Sequence, residues 1–346
     1  MNSDDPSELA YFDYDLPDRL IAQTPVEPRD SARMLVDVLD DCKTTSIVDT
    51  TVDRLAEHVK PGDLVVVNNT RVLAARLHLK KQTGGGVEVF LLEPTGAPNE
   101  WTAMVRPGKR VKPGEVLLFD DIPTVQVEER RDDGLRTVTL IDDTAIDKAG
   151  TVPLPPYINE ALQDDDRYQT MFADRLGSVA APTAGLHFTP ELCQSLKDND
   201  VDLVSVELRV GLATFRPIST DNIADHMMHA ETYHIGQGEW EAIQRTRSGP
   251  GRVVAVGTTV VRALESAALS GELNAETRLF INREFDWNVV DVLLTNFHMP
   301  RSSLLVLLDS FIPERWKELY SHAKGSEYRF LSFGDCMLVE RRSRQG

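Results

Sequence analysis

The chain has 346 residues, 41% of them hydrophobic and 27% charged, with 37 Lys+Arg against 55 Asp+Glu and a formal net charge of -18 at pH 7. That length suggests two domains, or one large domain with an insertion, and the composition is that of a globular protein with a sizeable core. It excludes a membrane span, since no run approaches ~18 consecutive apolar residues.

The opening stretch MNSDDPSELAYFDYDLP has neither the basic nor the apolar region of a secretory signal. Cys42, Cys193 and Cys336 lie far apart, with no zinc spacing and no disulfide framework. The expectation is a cytoplasmic protein. The acidic balance argues against nucleic acid, but it is uneven. Arg71 to Lys112 holds eight basic against three acidic residues, a local +5, whereas the first 66 residues hold six against fifteen. An acidic chain can still present one basic face.

In chain order, RLIA reads as a short helix stopped by Thr24-Pro25, and RMLVDVL reads as a strand. DRLAEHV has helical spacing, and LVVVN after Pro61-Gly62-Asp63 is a buried strand. From Val72 the texture changes to short strands broken by Gly84-Gly85-Gly86, Pro107-Gly108, Pro113-Gly114 and Asp132-Asp133-Gly134. ARLHLKK alternates, with Ala75, Leu77 and Leu79 on one face. Evenly spaced short strands predict a small barrel or sandwich. Beyond Pro153, Thr189-Pro190 caps a helix and VDLVSVELRV is a strand. RVVAVGTTVVRALESAAL runs strand, turn, helix; NVVDVLLTNF is a strand; RSSLLVLLDSF and PERWKELYSHA are helices. Alternating strands and helices predict an α/β architecture. The expected fold is a discontinuous mixed α/β main domain, residues 1–71 and 151–346, with an all-β, barrel-like domain inserted at 72–150.

Five clusters carry chemistry. VVVNNTR runs a buried strand into Asn68-Asn69-Thr70-Arg71, a common binding position, with Asn69 and Arg71 the binding candidates; a turn held by asparagines is the bland alternative. GSVAAPTAGLHFT is a run of small residues around His187, with Thr183 and Gly185; small residues admit close approach by a flat or charged ligand, although a satisfied core histidine fits equally well. VELRVGLATFRPI brings Arg209 and Thr214, and arginine suits carboxylate and phosphate. HMMHAETYH crowds His226, His229, Glu231 and Tyr233. It lacks the H-E-x-x-H zinc pattern, so acid–base work or a structural polar network are its other readings. VGTTVVR places Gly257, Thr258, Thr259 and Arg262 at a helix start, where free N–H groups hold anions. No P-loop or dinucleotide glycine pattern is present. LLTNFHMP adds Asn296 and His298 at a further strand end.

With these segments on view, the chain resembles the S-adenosylmethionine:tRNA ribosyltransferase-isomerase family of queuosine biosynthesis. The resemblance rests on LPDRLIAQTPVEPRDSARMLV, GDLVVVNNTRVLAARL, RPGKRVKPG, PLPPYI, RYQTMFA, GSVAAPTAGLHFT, VGLATFRPI, HMMHAETY, VGTTVVRALES, LLTNFHMPRSSLL and YRFLSFGDCML, in order over nearly the whole chain. Departures from the expected pattern fall at Asn69, Arg209, Ala213 and Phe333. The resemblance implies transfer and isomerisation of the ribosyl group of S-adenosylmethionine onto 7-aminomethyl-7-deazaguanine at the tRNA wobble position. The product is epoxyqueuosine, and adenine and methionine are released. It implies no metal or second cofactor, S-adenosylmethionine as cosubstrate, tRNA as partner and an inserted β domain. Within it, His187, His229 and Glu231 are the acid–base candidates. The other named cluster residues bind substrate, and Arg106, Lys109, Arg110 and Lys112, with Arg71, face tRNA phosphates. A monomer is expected.

Three rivals remain at this level. A conventional S-adenosylmethionine-dependent RNA methyltransferase would need a glycine-rich loop after its first strand, which is missing. A non-catalytic RNA-binding module would not need the polar strand ends. A metallohydrolase would rest on His226, His229 and Glu231.

Overall fold

The computed structural model describes residues 4–38, 46–131, 134–141, 144–160, 162, 164–210 and 218–342. These fall into two compact units. The first draws on Met1–Arg71, Pro155–Arg175 and Ala181–Gly346, and the second on Val72–Leu154 and Leu176–Ala180.

The first unit is built on a nine-stranded sheet among the described residues. Its order is Asn274–Thr277, Glu231–His234, Asp202–Leu208, Leu64–Asn68, Val253–Val256, Val292–Asn296, Cys336–Glu340, Arg33–Asp37, Val48–Thr51. The four strands from Asp202–Leu208 to Val292–Asn296 run parallel to one another. Parallel strands are covered on both faces, so they read as unbroken apolar runs; LVVVN, VVAV and VLLTN are buried at every position. Their carboxyl ends therefore lie along one edge. Cys336–Glu340 runs antiparallel to Val292–Asn296, with Cys336 opposite Asn296, and Met34 pairs with Cys336 in parallel. The amino ends of those two outer strands thus join the same edge. In open α/β sheets this edge is where ligands bind.

Helices cover the sheet. Pro190–Asp198 starts as its sequence predicts, with Thr189 Oγ1 accepting from the Leu192 N–H at 3.1 Å and proline at the first turn. Such a cap contributes about 1 kcal/mol. Leu192 and Leu196 pack into a core with Leu55, Val65, Val201 and Val254. Thr258–Ser270 is buried around most of its circumference. Ser303–Phe311 and Arg315–Gly325 follow, and Trp316 and Tyr320 pack edge-on against each other within a cluster holding Tyr14 and Phe330.

The second unit is a closed six-stranded barrel. Arg76–Lys81, Gly86–Pro94, Glu100–Arg106, Arg136–Leu140, Ile122–Arg130 and Glu115–Phe119 pair in that order, and Lys80 opposite Leu118 shuts the ring. Closure removes the exposed edges of an open sheet. Leu77 and Leu79 face the interior and His78 and Lys80 face solvent, as the alternation predicts. At Gly150 a side chain would collide with the carbonyls of Ala74 and Ile146, so only glycine fits there.

Some local expectations change. RLIA is a 3-10 turn, Asp18–Leu20, because Ile21 leaves it to bridge Phe330. DRLAEHV lies in a 3-10 segment, Val52–Glu57. The helix Gln237–Ser248 carries little apolar pattern; Ile243 is its buried residue.

Candidate active site

At the strand-end edge the organising side chain is Asn68. It is buried, and its Oδ1 accepts from the Thr70 N–H and the Thr70 hydroxyl, both at 3.0 Å, and from the Leu208 N–H at 3.4 Å. Its Nδ2 donates to the Leu208 carbonyl at 3.0 Å and to Thr259 Oγ1 at 3.3 Å. One amide thus ties together two strand ends and the first turn of helix Thr258–Ser270. Asn69, the sequence candidate, points away, with Nδ2 on Ser205 Oγ at 3.4 Å, while its carbonyl accepts from the N–H groups of Asp174 and Arg175. The sequence places both asparagines at the end of the same buried strand, and the choice of Asn69 over Asn68 as the binding residue is the one that changes. Gly257 caps the helix at φ +91 and, having no side chain, supplies no side-chain cap to the first N–H groups; helix starts of this kind suit anions.

The small-residue segment forms a 3-10 turn, Thr183–His187. What comes close to it is the protein itself. A Cβ on Gly185 would stand 3.1 Å from Thr170 Cγ2, and one on Gly257 would stand 3.6 Å from Ala184 Cβ. The small side chains seat the turn on the helix start and hold His187 beside Asn296. Asn296 Oδ1 accepts from the Thr183 hydroxyl at 2.9 Å, and its Nδ2 donates to the Asp335 carbonyl at 3.3 Å and faces His187 Nε2 at 3.4 Å. His187 is buried, and burial pushes its pKa down to about 4. A hydrogen bond to the backbone of Arg29 opposes that shift, and the charges of Arg329 and Arg29 add to it. This network assigns the ring hydrogen to Nδ1, on the Arg29 carbonyl, and leaves Nε2 as the acceptor. The imidazole is therefore neutral at pH 7. A small cavity beside it is lined by Pro25, Val26, Arg29, Arg167, Leu186, Ser332 and Phe333. Phe333 packs edge-on against buried Tyr168 at 5.8 Å.

Glu231 is buried and paired with Arg262, whose Nε donates to the Leu279 carbonyl at 3.2 Å. Burial lowers the Arg262 pKa against the opposing pull of Glu231. His226 is half-buried, edge-on to Phe280 at 5.4 Å, and His229 is exposed. Burial and then the neighbouring His229 lower the His226 pKa. Among the described residues, no three His, Cys, Asp or Glu side chains gather as a metal site.

Other candidates lie elsewhere. The Tyr233 hydroxyl donates to the Glu272 carbonyl at 2.9 Å, beyond the far end of the helix that Gly257 caps; those ends are about 18 Å apart at 1.5 Å per residue. His298 is buried against Thr295 Oγ1 at 3.1 Å, its backbone N–H donating to the Tyr320 hydroxyl and its carbonyl accepting from Tyr14. Burial pushes its pKa down to about 3. Arg209 is half-exposed and paired with Glu207 at 2.6 Å. By contrast Thr258, the first residue of helix Thr258–Ser270, is buried at the strand-end edge; Arg71 is exposed. Thr214 lies outside the described residues. In the barrel unit, Arg106, Lys109, Arg110 and Lys112 are all exposed around one turn, Gly108–Arg110. A larger surface groove lined by Glu57, Glu191 and Asp198 is acidic and includes none of the candidate residues.

Known proteins match this chain over nearly its full length. The profile of a family described as queuosine biosynthesis protein matches residues 9–339. The chain is similar to an S-adenosylmethionine:tRNA ribosyltransferase-isomerase from a Nostoc species, at 42% identity over 96% of this chain and 91% of that one. It is also similar to one from Magnetococcus marinus, at 45% over 97% and 94%. A crystal structure of S-adenosylmethionine tRNA ribosyltransferase from Thermotoga maritima is 34% identical and aligns with a TM-score of 0.53, covering 95% of this chain and 99% of that one.

Proposed function

This chain belongs to the queuosine biosynthesis protein family, and on that premise we propose that it is an S-adenosylmethionine:tRNA ribosyltransferase-isomerase. It transfers the ribosyl group of S-adenosylmethionine to the aminomethyl group of 7-aminomethyl-7-deazaguanine at the tRNA wobble position. The ribose is rearranged to an epoxy-cyclopentanediol, and adenine and methionine leave. The observation that carries this reading is the near full-length match to relatives bearing that name, joined to a polar strand-end edge suited to a nucleoside.

The chemistry asks for a base, an acid and anion-holding donors. The sulfonium acidifies the neighbouring ribose methylene. His187, neutral and buried, accepts that proton on Nε2, with Asn296 and Thr183 orienting it. Adenine departs more readily when protonated, and exposed His229 is the candidate donor. Glu231, already paired with Arg262, serves binding rather than proton transfer. The helix start at Gly257, Thr258 and Thr259 holds anionic or hydroxyl groups of the cosubstrate. The exposed bases Arg106, Lys109, Arg110 and Lys112 meet tRNA phosphates.

S-adenosylmethionine labelled in its ribose carbons and, in a parallel reaction, in its S-methyl group tests the reading against the methyltransferase alternative. Ribose label recovered in the tRNA is expected; label entering the tRNA only from the S-methyl group overturns it.

A further inference from the structure

The Arg262–Glu231 pair has an unfilled hydrogen bond. Of the guanidinium nitrogens, Nε donates to the Leu279 carbonyl and Nη1 to Glu231, while buried Nη2 has no partner among the described residues. The residue is 5% exposed. A buried donor without an acceptor is costly, so natural structures keep few of them without a use. The pair also stands at the site edge. Leu208 pairs with Tyr233, and the Arg209 N–H donates to the Thr232 carbonyl, so Glu231 lies just past the carboxyl end of strand Asp202–Leu208. Arg262 is one turn into helix Thr258–Ser270. Long helical side chains lean toward the amino terminus, here toward Gly257 and the open N–H groups of the first turn.

The charges select the ligand. A lone anion would meet Glu231 as well as Arg262, and a lone cation the reverse. A zwitterion matches both, because a carboxylate satisfies Nη2 and the helix N–H groups while an ammonium meets Glu231, whose carboxylate accepts several hydrogen bonds. We propose that Arg262 and Glu231 recognise the α-amino-acid end of the cosubstrate, with the methionyl carboxylate on Nη2 of Arg262 and the methionyl ammonium against Glu231. This rests on the S-adenosylmethionine reading above. It gives the pair a positioning role, since the amino-acid arm anchors the sulfonium and ribose without itself reacting.

The test compares S-adenosylmethionine with 5′-dimethylsulfonio-5′-deoxyadenosine, which keeps the sulfonium and nucleoside but lacks the amino-acid arm. Initial rates of adenine release are measured at saturating tRNA bearing the aminomethyl base. With the wild-type enzyme the armless analogue should show a KM at least tenfold higher than S-adenosylmethionine. In Arg262→Gln that ratio should fall to about one, and Arg262→Lys should restore part of it. A ratio near one in the wild type, or a wild-type ratio unchanged in Arg262→Gln, overturns the assignment. If Arg262→Gln does not fold, Glu231→Gln carries the comparison: its ratio should also fall toward one, and a wild-type ratio in it overturns the assignment. No adenine from S-adenosylmethionine with the wild type overturns the reaction itself, and the assignment with it.

Discussion

Two buried histidines separate chemistry from architecture. Both have folded-state pKa values below the ~6.5 of a free imidazole, His187 at about 4 and His298 at about 3. Unfolding lets them take up protons, so the stability tied to their neutral form is present above pH ~6.5 and is lost as pH falls toward those folded values. Each contributes roughly 1.4 kcal/mol per pH unit inside that window. His298→Gln should therefore flatten the pH dependence of the urea midpoint between pH 6.5 and 4.5, and an unchanged slope would contradict the burial argument. His187→Ala should abolish adenine release while far-UV circular dichroism stays native; wild-type turnover in that variant removes His187 from the mechanism. Asn68→Ala strips five hydrogen bonds from the strand ends, and the buried groups it orphans should cost about 1–3 kcal/mol. His187 was visible in the sequence, but its neutrality was not, because burial by Arg29 and Asn296 comes from distant segments. The choice of Asn68 over Asn69 was equally hidden. Neighbours on a strand face opposite sides, and a run buried on both faces does not mark which side holds the site.

Elements with strong local signals were legible. The cap at Thr189-Pro190, the strand–turn–helix around Gly257 and the parallel strands all stand where the pattern predicts. Helix Gln237–Ser248 was not legible, since its polar sequence gives no apolar stripe to read. The small-residue turn shows a different limit. Its composition suggested room for a ligand, whereas Gly185 and Ala184 use the space for Thr170 and the Gly257 region. Gly257 itself adopts φ +91 with ψ 154, a conformation that costs an L side chain about 1–3 kcal/mol. Gly257→Ala should lower stability by about that amount and raise the KM for S-adenosylmethionine by disturbing the first turn. Native stability together with native KM would show that the helix start has no part in binding.

For the whole molecule, the change of texture at Val72 announced a β insertion, and its closure into a six-stranded ring follows from the pairing of Arg76–Lys81 with Glu115–Phe119. The return of Leu176–Ala180 to the barrel unit has no marker in the sequence. A net charge of -18 would repel tRNA if evenly spread. Placing Lys109 and Arg110 on an exposed barrel turn supplies the local exception. Reversing both to glutamate should weaken tRNA binding and reduce the slope of log K against log salt by roughly one to two; an unchanged slope would move the tRNA contact elsewhere. The central claim, ribosyl transfer with rearrangement, is tested most directly by the released products. The purified protein, S-adenosylmethionine and tRNA bearing 7-aminomethyl-7-deazaguanine should yield free adenine and methionine in equal amounts. S-adenosylhomocysteine, or no product at all, would contradict it.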